Sequence, residues 1–331
     1  MKSTLRFFIL FIGLILAGCS SDKVKVGLLI HSLDKERWEN DQKYFIESVN
    51  ELGGKVFVAI ADNDEQKQIQ QAQDLLKRKI QTLVVIPVNQ YSAANIVDLA
   101  HNRSVPVISY DRLINNSRVD YYVSTDNIKI GEMQANYMVN LVPEGNYALI
   151  GGSENDNNSR MLYLGQMNIL QPYIERNEIY LVYRKFTKFW SEDEGYQMAK
   201  ECLDENNNQI DAIVAGNDAI AYGVLRALKE QGLEKKIAVA GMDADLRNVR
   251  EIVKGNQVMT VYKPIRTMAS TAAEIAVKLA RGEKFEGCNN RVSNGKRLVP
   301  AVLLDALPVT KDNIEQTVVA DGYLKGKDIY Q

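Results

Sequence analysis

From Val24 onward this chain alternates short apolar runs rich in β-branched residues with stretches whose apolar positions recur at helical spacing. Val24–Ile30, Lys55–Ile60, Thr82–Pro87, Pro106–Tyr110 and Tyr121–Ser124 form a first series of such runs. Between them lie amphipathic segments. One passes through Phe45, Ile46 and Val49, and another is capped by Asp62, Asn63 and Asp64 with Ile69, Ala72, Leu75 and Leu76 turned inward. A second series follows at Asn146–Ile150, Ile179–Tyr183, Asp211–Ala215 and Lys236–Ala240. Strands this apolar cannot leave a face in water, so they belong to parallel sheets covered by helices on both sides. Two successive series with no long linker predict an α/β protein of two doubly wound parallel-sheet domains.

The N-terminus has a different character. Lys2 and Arg6 precede an apolar run from Phe7 to Leu16, and Ala17 and Gly18 lead into Cys19. This pattern reads as a secretory signal, residues 1–18, ending in a lipoprotein cleavage box. The run is about half the ~20 residues that a spanning helix needs. The mature chain would therefore start at a lipidated Cys19, with residues 19–23 as a tether, on an extracytoplasmic face of a membrane.

About 310 residues remain, enough for two domains. Without Lys2 and Arg6 the chain holds 38 basic against 42 acidic side chains and no basic stripe, which argues against nucleic acid as a partner. His31 and His101 are the only histidines, and neither has a companion at metal-ligand spacing. No dinucleotide fingerprint, phosphate-binding loop or nucleophile elbow occurs, so neither a cofactor nor a metal is expected. Cys202 and Cys288 are expected as free thiols.

Open parallel sheets bind ligands beyond the carboxyl ends of their strands. Those positions here hold Arg37 and Trp38, Asp111 and Arg112, Asp156, Asn157 and Asn158, Trp190, Asn217 and Asp218, Asp243 and Asp245, and Lys263. Asp, Asn and Arg place two donors or acceptors side by side, which matches the vicinal hydroxyls of a sugar. Trp38 and Trp190 offer flat apolar surfaces to the C–H faces of a pyranose. Together they read as a site for a neutral polyol. Each residue also has a plainer reading: Asp111 and Asp218 as helix caps, Arg37 and Arg112 as surface ion pairs, Trp38 as core, Asn157 and Asn158 as a turn. Asp243, Ala244 and Asp245 resemble part of a calcium loop, but the bidentate Glu is missing.

At these positions the chain resembles the ribose/galactose-type sugar-binding family of type I periplasmic binding proteins, its xylose-binding members above all. The segments that carry the resemblance are Glu36–Trp38, Tyr110–Asn115, Asp156–Asn158, Gly165–Met167, Asn217–Ala219, Asp243–Leu246 and Met259–Ile265. The resemblance implies that Arg37, Asp111, Arg112, Asn158, Asn217, Asp243 and Lys263 hydrogen-bond a monosaccharide, D-xylose or a close aldose, sandwiched by Trp38 and Trp190. It implies an N-terminal lobe of residues 24–130 and 267–304 and a C-terminal lobe of 131–266 and 305–331. The lobes would be joined by three crossings near 127–131, 263–266 and 303–305 and close by hinge bending. Phe189 departs from the family pattern at the rim of the cleft.

The implied role is a monomeric solute receptor serving a membrane ABC permease, with a sensor histidine kinase as the alternative reader of the closed form. An export signal argues against a repressor of related fold. A glycosidase would need a general acid, whereas Arg112 and Lys263 should keep Asp111 and Asp243 ionised.

Overall fold

The computed structural model describes residues 23–331, so the expected signal peptide and Cys19 lie outside the described residues. The chain first runs β1 (Val24–Ile30), α1 (Glu36–Glu51), β2 (Gly54–Ile60), α2 (Glu65–Lys77), β3 (Thr82–Val85), α3 (Ala94–His101), β4 (Val107–Tyr110) and β5 (Tyr121–Thr125). It continues with α4 (Asn127–Leu141), β6 (Gly145–Gly151), α5 (Asn157–Glu175), β7 (Ile179–Phe186), α6 (Glu192–Glu205), β8 (Ala212–Ala215), α7 (Asp218–Glu230), β9 (Ala238–Ala240), α8 (Leu246–Lys254) and β10 (Thr260–Tyr262). α9 (Ile265–Ala280), β11 (Asn290–Ser293), β12 (Leu298–Leu304) and β13 (Leu307–Val309) follow, then a π-turn at Glu315–Val319 and α10 (Gly326–Ile329).

The apolar runs form two sheets. The larger has the order β11-β12-β5-β4-β3-β1-β2 and is parallel except for β11. α1 and α9 cover one face through Phe45, Val49, Met268 and Ala272, while α2 and α3 cover the other through Leu75, Leu76, Ile96 and Val97. The smaller sheet, β7-β6-β8-β9, is wholly parallel and buries Tyr147, Leu149, Ile213 and Val239 beneath α4–α7. The expectation of two doubly wound parallel sheets holds.

Helix pairs in the smaller lobe touch at the backbone. A Cβ on Gly131 of α4 would lie 2.1 Å from the Leu162 carbonyl oxygen of α5, and one on Gly165 would lie 2.0 Å from that of Ile128. The two glycines face each other across the α4–α5 crossing and set its spacing. Gly195 and Gly223 do the same for α6 and α7, where added Cβ atoms would sit 2.6 and 2.1 Å from carbonyl oxygens.

The chain passes between the sheets three times: at Asp126 between β5 and α4, at Lys263–Pro264 between β10 and α9, and between Leu304 and Leu307, where β13 pairs with β10. Two expected lobe boundaries need correction. The division at 130/131 falls inside α4, and that at 266/267 inside α9, yet each helix packs as a unit, α4 on α5 and α9 on α1. A continuous ladder of backbone bonds resists bending, so the crossings fall at the helix starts instead. Cys202 lies in the smaller lobe's core and Cys288 against the larger lobe's, both as free thiols. Among the described residues no helix is long and apolar enough to cross a membrane.

Candidate functional site

The strand ends of both lobes converge on one cleft, and the helices that follow them place the side chains. β1 leads into the first turn of α1, which holds Arg37 and Trp38. Asp111 and Arg112 follow β4 directly. Asp156 caps α5 by accepting from the Asn158 amide at 2.9 Å, which leaves Asn158 in the first turn. Trp190 precedes Ser191, the cap of α6, and Asn217 caps α7 by accepting from the Ile220 amide at 3.0 Å. Asp243 and Lys263 lie just past β9 and β10.

Arg37, Trp38, Asp111, Arg112, Asn158, Trp190, Asn217, Asp243 and Lys263 all line one cavity, and Lys35, Asp156 and Met242 complete its wall. The side chains bond mainly to one another. Arg37 donates from one terminal nitrogen to Asp111 and from the other to Asp243 at 3.2 Å, and its Nε donates to Asp41 at 3.3 Å. Lys263 Nζ lies 3.7 Å from Asp111 and 3.9 Å from Asp243. Arg112 Nε pairs with Asp156 at 2.9 Å, and Asn158 Nδ2 donates to an Asp111 carboxylate oxygen at 3.1 Å. The void left between them is about 20 Å³, room for one water but not a pyranose ring. A sugar would enter by exchanging these pairs for bonds to its hydroxyls.

Burial alone would favour a neutral Asp111, but Arg37, Lys263 and Arg112 outweigh it and hold the carboxyl far below the usual range. Asp111, Asp41 and Asp243 keep Arg37 charged against its own burial. Burial raises Asp156, with Arg112 opposing. Lys35, Arg37, Arg112 and Lys263 line the cavity with Asp111, Asp156 and Asp243, and Asp41 lies behind Arg37, so most of these charges are paired. A dense set of fixed donors and acceptors whose charges are largely paired with one another suits an uncharged, hydroxyl-rich ligand.

The two indoles are held differently. Trp38 makes a T-shaped contact with buried His31 at 4.5 Å between centroids and carries the Arg37 guanidinium 4.2 Å from its ring centre. Burial, then Arg112, Lys35 and Arg37, push His31 well below its ordinary pKa, so it is a neutral neighbour. Trp190 lies flat against glycine backbone: a Cβ on Gly152 would meet its ring at 2.2 Å. Its main chain is left-handed, φ 58°, and its buried Nε1 has no hydrogen-bond partner.

The plainer readings are partly right. Asp111 caps no helix and Arg112 is no surface pair, while Trp38 is both core and cavity wall. Asp218 turns away into its own lobe, accepting from Gln257 Nε2 at 3.0 Å, Thr260 Oγ1 at 2.9 Å and the Asp245 amide at 2.9 Å. Asn157 stays off the cavity wall, 3.5 Å from Asn115, and Phe189 is half exposed on the outer rim. Among the described residues no group of three His, Cys, Asp or Glu side chains is placed for a metal. Sequence reasoning missed Lys35 and Met242 as wall residues, although each adjoins a residue it named.

Residues 26–284 match the profile of the family described as periplasmic binding protein domain. The chain belongs to that family. This periplasmic binding protein is 42% identical over 330 residues to the D-xylose-binding periplasmic protein of Haemophilus influenzae, covering 100% of this chain and 99% of the relative. It is also 42% identical over 307 residues to the D-xylose-binding periplasmic protein of Escherichia coli, covering 93% of each. An ABC transporter solute-binding protein from Clostridium phytofermentans, solved with β-D-glucose bound, superposes with a TM-score of 0.85 at 26% identity, over 92% of this chain and 99% of that one.

Proposed function

We propose that this protein is a periplasmic receptor that traps a monosaccharide, D-xylose foremost, and delivers it to an ABC sugar transporter. One observation carries the reading: seven planar or cationic polar side chains and two indoles, contributed by both lobes, line a single cavity. The D-xylose-binding names of the two relatives and the glucose-bound neighbour support the ligand class. Arg37, Asp111, Arg112, Asn158, Asn217, Asp243 and Lys263 would bond the hydroxyls, and Trp38 and Trp190 would cover the ring faces. The lobes would hinge at Asp126, Lys263–Pro264 and 305–306. A lipid on Cys19 would tether the receptor to the membrane.

The electrostatics of Asp111 support a binding role. Asp111 is held ionised by Arg37 and Lys263, a state that accepts hydroxyl protons well but cannot serve as a general acid. The relatives are likewise named for binding.

Calorimetric titration with a panel of aldoses tests the proposal. D-xylose should bind in the micromolar range or tighter, equivalent to about 8 kcal/mol. Absence of heat with every pentose and hexose would refute it.

A further inference from the structure

Lys35 has no place in the ligand set above, yet it occupies a singular position. It lines the central cavity and also both grooves that flank it: one of about 510 Å³ with Asn63, Asn155 and Phe189, the other of about 500 Å³ with Glu192 and Arg247. No other described residue borders all three spaces. Its stem therefore forms part of the partition between the cavity and either groove.

Its ammonium also crosses between lobes. Lys35 precedes α1 of the larger lobe, and its Nζ donates to the main-chain carbonyl of Trp190 in the smaller lobe at 3.0 Å. The Trp190 amide is held within its own lobe by Thr187 Oγ1 at 3.2 Å. The peptide links around the left-handed Trp190 are thus fixed from one lobe on the amide side and from the other on the carbonyl side. A side chain as bulky as an indole is uncommon in that backbone region and persists where surrounding bonds over-determine it. Opening the cleft would release the carbonyl.

We propose that the two grooves are the ways out of the cavity and that Lys35 is a latch that bars both and ties lobe closure to the placement of the Trp190 indole. The inference rests on the sugar-receptor reading and adds a positioning residue to it. The latch forms as the lobes close, so it should slow release and leave capture by the open form alone.

Stopped-flow tryptophan fluorescence with D-xylose tests this on the wild type, Lys35→Met and Lys35→Arg. Met keeps the stem and loses the donor. The dissociation rate of Lys35→Met should rise about tenfold or more, the worth of one charged hydrogen bond, with the association rate within about twofold. Lys35→Arg should recover most of the slow release, and the ligand-free Tm should stay unchanged in both. An unaltered dissociation rate in Lys35→Met overturns the latch alone. A fall in ligand-free Tm would make Lys35 a stability residue and overturn it too. Failure of the wild type to respond to any aldose refutes the receptor reading and the latch with it.

Discussion

Asp41 stands one step behind the cavity, where the Tyr110 hydroxyl donates to one of its oxygens and Arg37 Nε to the other. Burial raises its pKa to about 6, against the pull of Arg37 and Tyr110. Because the folded state holds the proton more tightly than the unfolded chain, Asp41 favours folding below about pH 4. That contribution is lost as pH rises through about 6. Asp111 moves the other way, and its contribution is already complete at pH 5. Asp41→Asn should therefore flatten the loss of stability between pH 4.5 and 7.5 by about 2 kcal/mol. Calorimetric melting of both proteins at the two pH values measures it, and identical pH slopes would contradict the assignment. At this scale much of the site was legible, since Arg37, Asp111 and Asn217 sit where a parallel sheet must present its ligand contacts. Lys35 was not, because its partner lies 155 positions away and only the meeting of the lobes brings them together.

Among the elements, the helices of the smaller lobe act as mounts for the site. α5 carries Asn158 and Asp156 at its start, and its position on α4 is set by Gly131 and Gly165. Gly165→Ala would force the backbones apart, costing about 2–3 kcal/mol of stability. It would also shift Asn158, whose side chain spans from Asn127 Nδ2 at 3.0 Å to Asp111. Urea unfolding together with sugar titration should show both losses, and a stable variant of normal affinity would disprove the mounting role. The apolar runs made nearly every parallel strand readable. β11 gives no such signal, because Asn290–Ser293 holds only one apolar residue, and the apolar run of β12 is broken by Pro300. Hinge positions were blurred by a few residues, since the periodicity of α4 and α9 does not reveal which sheet each helix will choose.

For the whole molecule, the balance between open and closed forms depends on what the lobes share. Direct links across the cleft include the Gln90 amide to the Asn155 carbonyl at 3.1 Å, Arg112 to Asp156, and Arg37 to Asp243. A sugar contacting both lobes would add bonds available only on closure, which is what shifts such an equilibrium. Saturating D-xylose should therefore reduce the radius of gyration in solution scattering. Unchanged scattering at a concentration that calorimetry shows to be saturating would exclude hinge closure. The threefold passage between sheets has a further consequence. Ala301 pairs with Tyr122, so β5 gains its outer neighbour only after about 180 more residues have been made. A nascent chain of this topology stays pliable until synthesis is nearly complete, and neither half can be cut free as an independent piece without baring a raw sheet edge.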